Sequence, residues 1–440
     1  MADARYKEIV DQLARRIRSG KLAAGTRLPT HRQLASRHGL ALVTATRVYA
    51  QLQDMGLVSG ETGRGTFVKD LSLPRGLGVD YPCVIPGHID LNFNNPVTPG
   101  QTELLRTALR QLAGEGDLES LLRYQPHGGR ARDRAAVAAH LHTRGLRISA
   151  RQVLLTDGAQ HGLAITTMAL LKPGDVVAVD ALTYPGFKLL ARTLHLELLP
   201  VPMARNGPDL DALESLCKRR RVRAIYTMPT LHNPLGWVMG LQRRRRLAAI
   251  ARQFGALVIE DAAYAYLEEN APPPLAALAP EITIHVSGLS KSIATGLRVG
   301  FVVTPDHHLP ALERCIRATN WNTPGVMTAL ACRWLEDGTI ARLEADKRND
   351  ARARQELVTQ TLSGHRLIRH PASYFVWIPL GEELRADLVA AELLRRHISV
   401  STAEPYAATP SPPHALRLAL GSVPMERLRT ALMAVREAIQ

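Results

Sequence analysis

Six short apolar runs recur along this chain with helix-length stretches between them: Val153–Leu155, Val176–Val179, Ala224–Tyr226, Leu257–Ile259, Thr283–Val286 and Val299–Val303. Alternation of this kind predicts an α/β domain whose mostly parallel sheet is covered on both faces by helices. Ligands of such domains gather beyond the carboxyl ends of the strands. The chemically able residues fall at those ends. Gly158-Ala159-Gln160 follows the first run, Tyr184 the second and Asn233 the third; Asp261 closes the fourth, with Tyr264 just beyond. Taken singly, each has an ordinary reading: a turn glycine, a half-buried tyrosine, an Asn-Pro turn initiator, a helix-capping aspartate. Their shared place in the alternation is what sets them apart.

After the fifth run comes Ser287-Gly-Leu-Ser290-Lys291-Ser-Ile-Ala-Thr-Gly-Leu-Arg298-Val-Gly. A lysine alone is most often a solvent-facing residue. Here small hydroxyl residues flank it and an arginine follows. That setting suits an amine forming a Schiff base with an aldehyde cofactor, while Ser290 and Arg298 hold the cofactor's phosphate. The segment closely resembles the cofactor lysine of fold-type I pyridoxal-phosphate (PLP) aminotransferases.

Residues 88–440 as a whole resemble the aminoadipate and kynurenine aminotransferases of that fold. The resemblance implies a large domain with a mostly parallel sheet and a smaller α+β subdomain over 320–440. It also implies roles. Lys291 would carry the cofactor covalently, Asp261 would pair with the pyridine nitrogen, and Asn233 and Tyr264 would bind the ring hydroxyl. Tyr184 would stack on the ring, and Gly158, Ala159, Gln160, Ser290 and Arg298 would hold the phosphate. Tyr124, in Tyr124-Gln-Pro-His-Gly-Gly129, matches a tyrosine supplied by the neighbouring subunit, which implies a homodimer. Arg417, in Leu416-Arg-Leu-Ala-Leu-Gly421, matches the arginine that clamps an α-carboxylate; read alone it is a surface charge on a strand. The chain departs from the pattern at Asn94-Asn95-Pro96, where glycine is frequent, at Leu235 in place of threonine, and at Ala131-Arg132 in place of Leu-Arg.

The first seventy residues read differently. Ile9, Leu13 and Ile17 mark one helical face that ends near Gly20. A second helix fits Arg32–Arg37, a turn at Gly39 follows, and a third helix fits Leu42–Met55 with Val48 and Leu52 inward. Two strands around Glu61-Thr-Gly-Arg-Gly65 complete the order of a winged helix-turn-helix. The spelling Leu28-Pro-Thr-His-Arg32-Gln-Leu-Ala35, with Gly63-Arg-Gly-Thr-Phe67-Val later, resembles the GntR family of bacterial regulators. The resemblance implies that residues 1–70 bind double-stranded DNA. Arg27 and Arg32 are then placed for phosphate or groove contact, Thr44 and Arg47 lie on the recognition helix, and Arg64 tips the wing. Arginine suits such work because its fork grips a phosphate or a guanine edge with two hydrogen bonds. Leu42 and Val43 stand where many relatives carry an arginine, so base preference does not carry over.

Charge points the same way. The chain has 55 Lys+Arg against 40 Asp+Glu, a net +15, which favours polyanions. An arginine-favouring genome would raise the same count. The four cysteines are scattered without a Cys-x-x-Cys pair, which reads as reduced thiols of a cytoplasmic protein and suggests no metal site. No apolar run approaches the roughly 20 residues that span a bilayer, so no membrane association is expected. Residues 71–87, rich in glycine and proline, read as a linker.

A GntR-type reader joined to an aminotransferase-like domain is the layout of the MocR family of transcriptional regulators, which the whole chain resembles. That implies a homodimer, with the DNA heads exchanged between subunits, which senses a small amino compound by exchange at Lys291. The alternative is a PLP-dependent aminotransferase with an accessory DNA-binding domain. Whether the lysine only exchanges or also turns substrate over is open from the residues.

Overall fold

A computed structural model of the chain describes residues 2–61, 64–69, 87–96, 99–115, 118–381 and 383–440. The expected linker lies, apart from Gly87, outside the described residues, as does Cys83; Cys217, Cys315 and Cys332 are free.

The amino-terminal head is built from α1 (Ala2–Arg18), α2 (His31–His38), α3 (Leu42–Asp54) and the antiparallel hairpin β1 (Val58–Glu61) and β2 (Gly65–Val68). Helix α2 starts at a capping box, in which the Thr30 side chain accepts from Gln33 N–H and the Gln33 side chain accepts from Thr30 N–H. The apolar faces of α1 and α3 meet in a core of the head's own, with Ile9, Leu13, Ile17, Val48 and Leu52 buried. This is the winged helix-turn-helix expected from the sequence.

The larger part follows from strands that are mostly apolar because helices cover both faces of their sheet. Its strands are β4 (Val153–Thr156), β5 (Val176–Asp180), β6 (Glu197–Val201), β7 (Val222–Thr227), β8 (Leu257–Asp261), β9 (Thr283–Gly288) and β10 (Gly300–Val303). They lie in the order β4-β10-β9-β8-β7-β5-β6. Strand β10 is antiparallel to both neighbours, and the other pairs in the sheet are parallel. The edge strand β6 has no counterpart among the apolar runs of the sequence. It is half-exposed and carries Pro200, which an edge tolerates. Helices α4 (Ala159–Leu170) and α5 (Pro185–Thr193) leave the carboxyl ends of β4 and β5.

A smaller sheet stands beside the first. Strands β11 (Ile368–Arg369), β12 (Phe375–Pro379), β14 (Ser401–Thr402) and β15 (Ala415–Ala419) pair antiparallel in the order β11-β12-β15-β14. The long helix α6 (Thr339–Thr361) and the last helix α7 (Met425–Ala438) pack together next to it. A short parallel pair joins β3 (Ile89–Asp90) to β13 (Ile398–Ser399), so the segment after the head enters through this smaller unit. Among the described residues no helix is long and apolar enough to cross a membrane.

Candidate functional site

The carboxyl ends of β4, β5, β7 and β8 face one cleft, and the smaller sheet closes it. Lys291 follows β9 and reaches back, its Nζ donating to the Asn94 carbonyl at 2.6 Å. Burial lowers its pKa to about 8, with the charges of Arg417 and Arg298 adding to the effect. A lysine so placed keeps a substantial neutral fraction near pH 8, which a surface lysine does not.

Asp261, the last residue of β8, is almost fully buried and is the acid of the site. Its Oδ2 accepts from the Tyr226 hydroxyl at 2.8 Å, and its Oδ1 accepts from Ala263 N–H at 3.0 Å. Burial nevertheless raises its pKa, so the two donors only partly offset the loss of water. Tyr226 stacks on Phe187 with centroids 3.8 Å apart, which fixes the ring that presents that hydroxyl. Tyr184 caps the start of α5, and burial followed by the Asp261 charge pushes its phenol up to about 12. It stays a neutral, flat ring. Tyr264 is likewise raised by burial and meets Phe375 edge-on at 4.6 Å.

Opposite them, the smaller sheet contributes Arg417. The register sets it between Trp377 and Ser401, in the middle of the sheet, and it is 3% exposed. Its Nη1 donates to the Asn92 carbonyl at 2.5 Å, and its Nη2 lies 3.4 Å from Asn233 Oδ1. Its Nε is buried without a hydrogen-bond partner among the described residues. The guanidinium lies 4.4 Å from the Phe375 ring centroid.

At the start of α4 two backbones cross. A Cβ on Gly300 would come within 2.4 Å of the Gly158 carbonyl carbon, and one on Gly158 would meet the Arg298 guanidinium at 2.8 Å. Gly158 also has φ +82°, a region that favours glycine. Both positions therefore need glycine, and their lack of a Cβ lets Arg298 come close to the amide end of a helix. Arg298 holds a left-handed φ of 53° and donates from Nη2 to the Asp157 carbonyl at 3.0 Å. Ser290 Oγ and Gln160 Oε1 are buried without hydrogen-bond partners among the described residues, and Gln160 Nε2 donates to the Gly186 carbonyl at 3.1 Å. An arginine, a spare hydroxyl and a helix start are a donor set for a phosphate dianion. A buried amine, a buried acid and a flat ring suit the remainder of a pyridoxal phosphate. The residues present fit that cofactor.

Contacts and charges thus link Lys291, Asp261, Asn233, Tyr264, Tyr184, Gly158, Arg298 and Arg417. Tyr124 is not among them. It stands 84% exposed with its ring 5.3 Å from that of Trp321. Reasoning from the sequence missed Tyr226, the two main-chain acceptors at Asn92 and Asn94, and Lys347. Lys347 is fully buried in α6 and donates to the carbonyls of Lys291 and Ile293 at 3.1 and 2.6 Å, holding the loop that bears the reactive amine.

On the head, Arg27, Arg32 and Arg47 are exposed and Thr44 is half-buried. The Arg47 guanidinium covers the Tyr6 ring at 4.6 Å. Leu42 and Val43 open α3 at 48% and 80% exposure. Arg64 does not project freely from the wing: it folds back toward Glu61 and Phe67.

A fold-type I body with a buried lysine at its cleft, preceded by a winged helix-turn-helix, defines a two-part protein of regulator and aminotransferase descent. The chain belongs to the family Aminotransferase class I and II, matched over residues 86–435, and residues 5–68 match the family of bacterial regulatory proteins, gntR family. The order of the two parts is the MocR layout. The chain is 28% identical to the uncharacterized HTH-type transcriptional regulator YdeF of Bacillus subtilis (strain 168), over 99% of this chain and 94% of that protein. It is 30% identical to the 2-aminoadipate transaminase of Thermus thermophilus, over 77% of this chain and 86% of the other. The solved structure of LysN, the α-aminoadipate aminotransferase of Thermus thermophilus complexed with N-(5'-phosphopyridoxyl)-L-leucine, matches with a TM-score of 0.74 at 28% identity, covering 80% of this chain and 92% of that one.

Proposed function

We propose that the protein is a PLP-dependent transcriptional regulator that binds DNA as a homodimer and senses an amino compound at Lys291. The observation that carries this reading is one chain holding both a buried lysine, acid and arginine set that fits pyridoxal phosphate and a helix-turn-helix head with exposed arginines. An enzyme gains nothing evident from a DNA reader.

Bound pyridoxal phosphate supplies an aldehyde and an electron-withdrawing ring. The rest is done by residues of this chain. Lys291 provides the amine for covalent attachment, and an amino compound competes with it. Asp261 orients the ring by pairing with its nitrogen, with Tyr226 and Ala263 N–H holding the carboxylate in place. Asn233 and Tyr264 bind the ring hydroxyl, and Tyr184 covers the ring face. Arg298, Ser290 and the start of α4 at Gly158, Ala159 and Gln160 hold the phosphate, with Tyr124 of a second subunit completing it. Arg417 takes the ligand's carboxylate, for which its Nε, without a hydrogen-bond partner among the described residues, is available. A ligand that binds two packings of the dimer unequally then changes the spacing of the DNA heads, and a few kcal/mol of difference suffices.

Titration of the PLP-loaded protein with amino acids tests this. An amino compound should change the cofactor's visible absorbance and, over the same concentrations, the affinity for an operator. If no amine alters either, the reading is wrong. The second reading, an aminotransferase, draws support from the intact site and the lowered Lys291 pKa, since a neutral amine near pH 8 is a competent proton acceptor. Multiple turnovers with amino and keto acids, without binding to any DNA, would favour it.

A further inference from the structure

Helix α3 opens on two apolar side chains turned out to solvent. Leu42 and Val43 are its first two residues, and both are exposed. A lone exposed leucine needs no explanation, but this pair stands where a winged helix-turn-helix meets its ligand. In that motif the first residues of the second helix of the turn lie against base edges in the major groove. The surrounding charge suits a polyanion. Helix α2 carries exposed Arg32 and Arg37 and no acid, and the one acid of α3 is Asp54, at its far end. The described contacts with the body lie elsewhere on the head. Gln53, near the carboxyl end of α3, donates from Nε2 to the Pro410 carbonyl at 2.9 Å, and Glu61 and Lys69 pair with Arg385 and Glu404.

The side chains of α3 able to grip a base edge with two hydrogen bonds are Arg47, Gln51 and Gln53. Each already has a partner. The Arg47 guanidinium covers the Tyr6 ring at 4.6 Å, Gln51 Oε1 accepts from the Tyr6 hydroxyl, and Gln53 turns to the body. Thr46, one turn after Leu42, donates its hydroxyl to the Leu42 carbonyl at 3.1 Å. The first turn therefore meets the bases with apolar surface. The apolar group that the major groove offers is the 5-methyl of thymine. Against a guanine edge, leucine or valine would displace water from hydrogen-bonding atoms and replace none of those bonds. We propose that Leu42 and Val43 pack against thymine methyl groups, so that the head selects duplexes with A·T pairs beneath the start of α3. The proposal rests on the reading of the head as a DNA reader, and it names what that reader prefers.

The test uses the full-length, PLP-loaded protein and labelled duplexes enriched by that protein from random sequence, with affinity read by fluorescence anisotropy. Enriched duplexes should share thymines. Deoxyuridine in place of each one removes its methyl and leaves every hydrogen-bonding group intact. At a thymine beneath α3 that exchange should weaken binding about fourfold, the order expected for losing one buried methyl. Leu42→Ala combined with Val43→Ala, at exposed positions, should leave the cofactor absorbance unchanged and weaken binding to the thymine duplex about tenfold. The double variant should bind thymine and uridine duplexes nearly alike, because the partner of the methyl is gone. Its salt slope should match the parent's, since no phosphate contact is lost. The proposal is overturned if every uridine duplex binds as tightly as its thymine parent, or if the double variant keeps the uridine penalty in full. A double variant that alters self-association and leaves DNA affinity untouched would also overturn it, because a second copy would then cover these side chains. If the parent enriches no duplex at all, the DNA-reading assignment fails and takes this proposal with it; enriched duplexes indifferent to uridine strike this proposal alone.

Discussion

Lys291 and Arg32 are both cations, and the chain houses them in opposite ways. Lys291 lies in a cleft where buried atoms of Ser290, Gln160 and Arg417 have no hydrogen-bond partner among the described residues, and its own pKa is pulled down to about 8. Arg32 stands exposed on α2, as Arg27 stands ahead of it and Arg47 on α3. A buried site gains its strength from low dielectric and fixed geometry, so each member is hard to replace. An exposed charged face gains by summing weak and screened contacts, so no member is decisive. Substitutions in the cleft should therefore act as all or none, and substitutions on the head should act in small, additive steps.

The sharpest way to break that contrast is Lys291→Ala. Only this amine is proposed to bond the cofactor, so the variant should lose covalent attachment entirely. Borohydride should trap nothing at that position, and the response of DNA binding to amines should vanish while DNA binding itself persists. A trapped cofactor in the variant would show that another amine does the work. Arg417→Ala comes next. Removing a buried guanidinium leaves the Asn92 carbonyl and Asn233 without it, and a carboxylate ligand should lose about 2–3 kcal/mol, roughly a hundredfold in affinity. Attachment of the cofactor should survive, which separates this effect from general unfolding. Equal affinity for an amino acid and for the amine lacking its carboxylate, already in the parent, would remove Arg417 from the proposed role.

The pH dependence sharpens the same comparison. Below about pH 8 Lys291 is mostly protonated and not nucleophilic; above it the free amine prevails. The rate of attachment after adding PLP to the cofactor-free protein should climb about tenfold per pH unit below that point and level off above it. An ordinary lysine would keep climbing for roughly two more units. A stopped-flow absorbance series from about pH 6 to about pH 10, on the order of half-unit steps, separates the two.

The sequence disclosed the cleft unevenly, for physical reasons. Asp261 and Lys291 were legible because polar residues at the ends of apolar runs break a pattern that burial otherwise enforces. Tyr226 was hidden by the same rule, since an aromatic residue at the close of Ala224-Ile-Tyr226 reads as core; only its partner Asp261 gives it a role. The acceptors that hold Lys291 and Arg417 are main-chain carbonyls of Asn94 and Asn92, and a carbonyl leaves no mark in a sequence. Lys347 lies in a polar helix where any lysine reads as solvent-facing, yet the fold buries it beneath the Lys291 loop. Strand direction was equally silent. The antiparallel β10 has the same apolar spelling as the parallel strands of the sheet, because burial on both faces, not direction, sets that spelling.

The head gives the smallest expected effects and the other limb of the comparison. Arg32 is exposed and makes no hydrogen bond among those described, so Arg32→Ala removes charge without disturbing the core formed by Ile9, Leu13, Val48 and Leu52. Its loss should weaken binding to an enriched duplex by about 1 kcal/mol, roughly fivefold, and should reduce the salt slope of the binding constant by about one. A phosphate contact predicts a similar loss on every duplex, whereas a base contact predicts a loss confined to duplexes that carry the contacted base. Pairing Arg32→Ala with Arg27→Ala should add the two costs, since each acts on its own stretch of backbone. A loss approaching a hundredfold from either one alone would mean that the head, like the cleft, concentrates its binding in single residues, and the contrast drawn between the two regions would collapse.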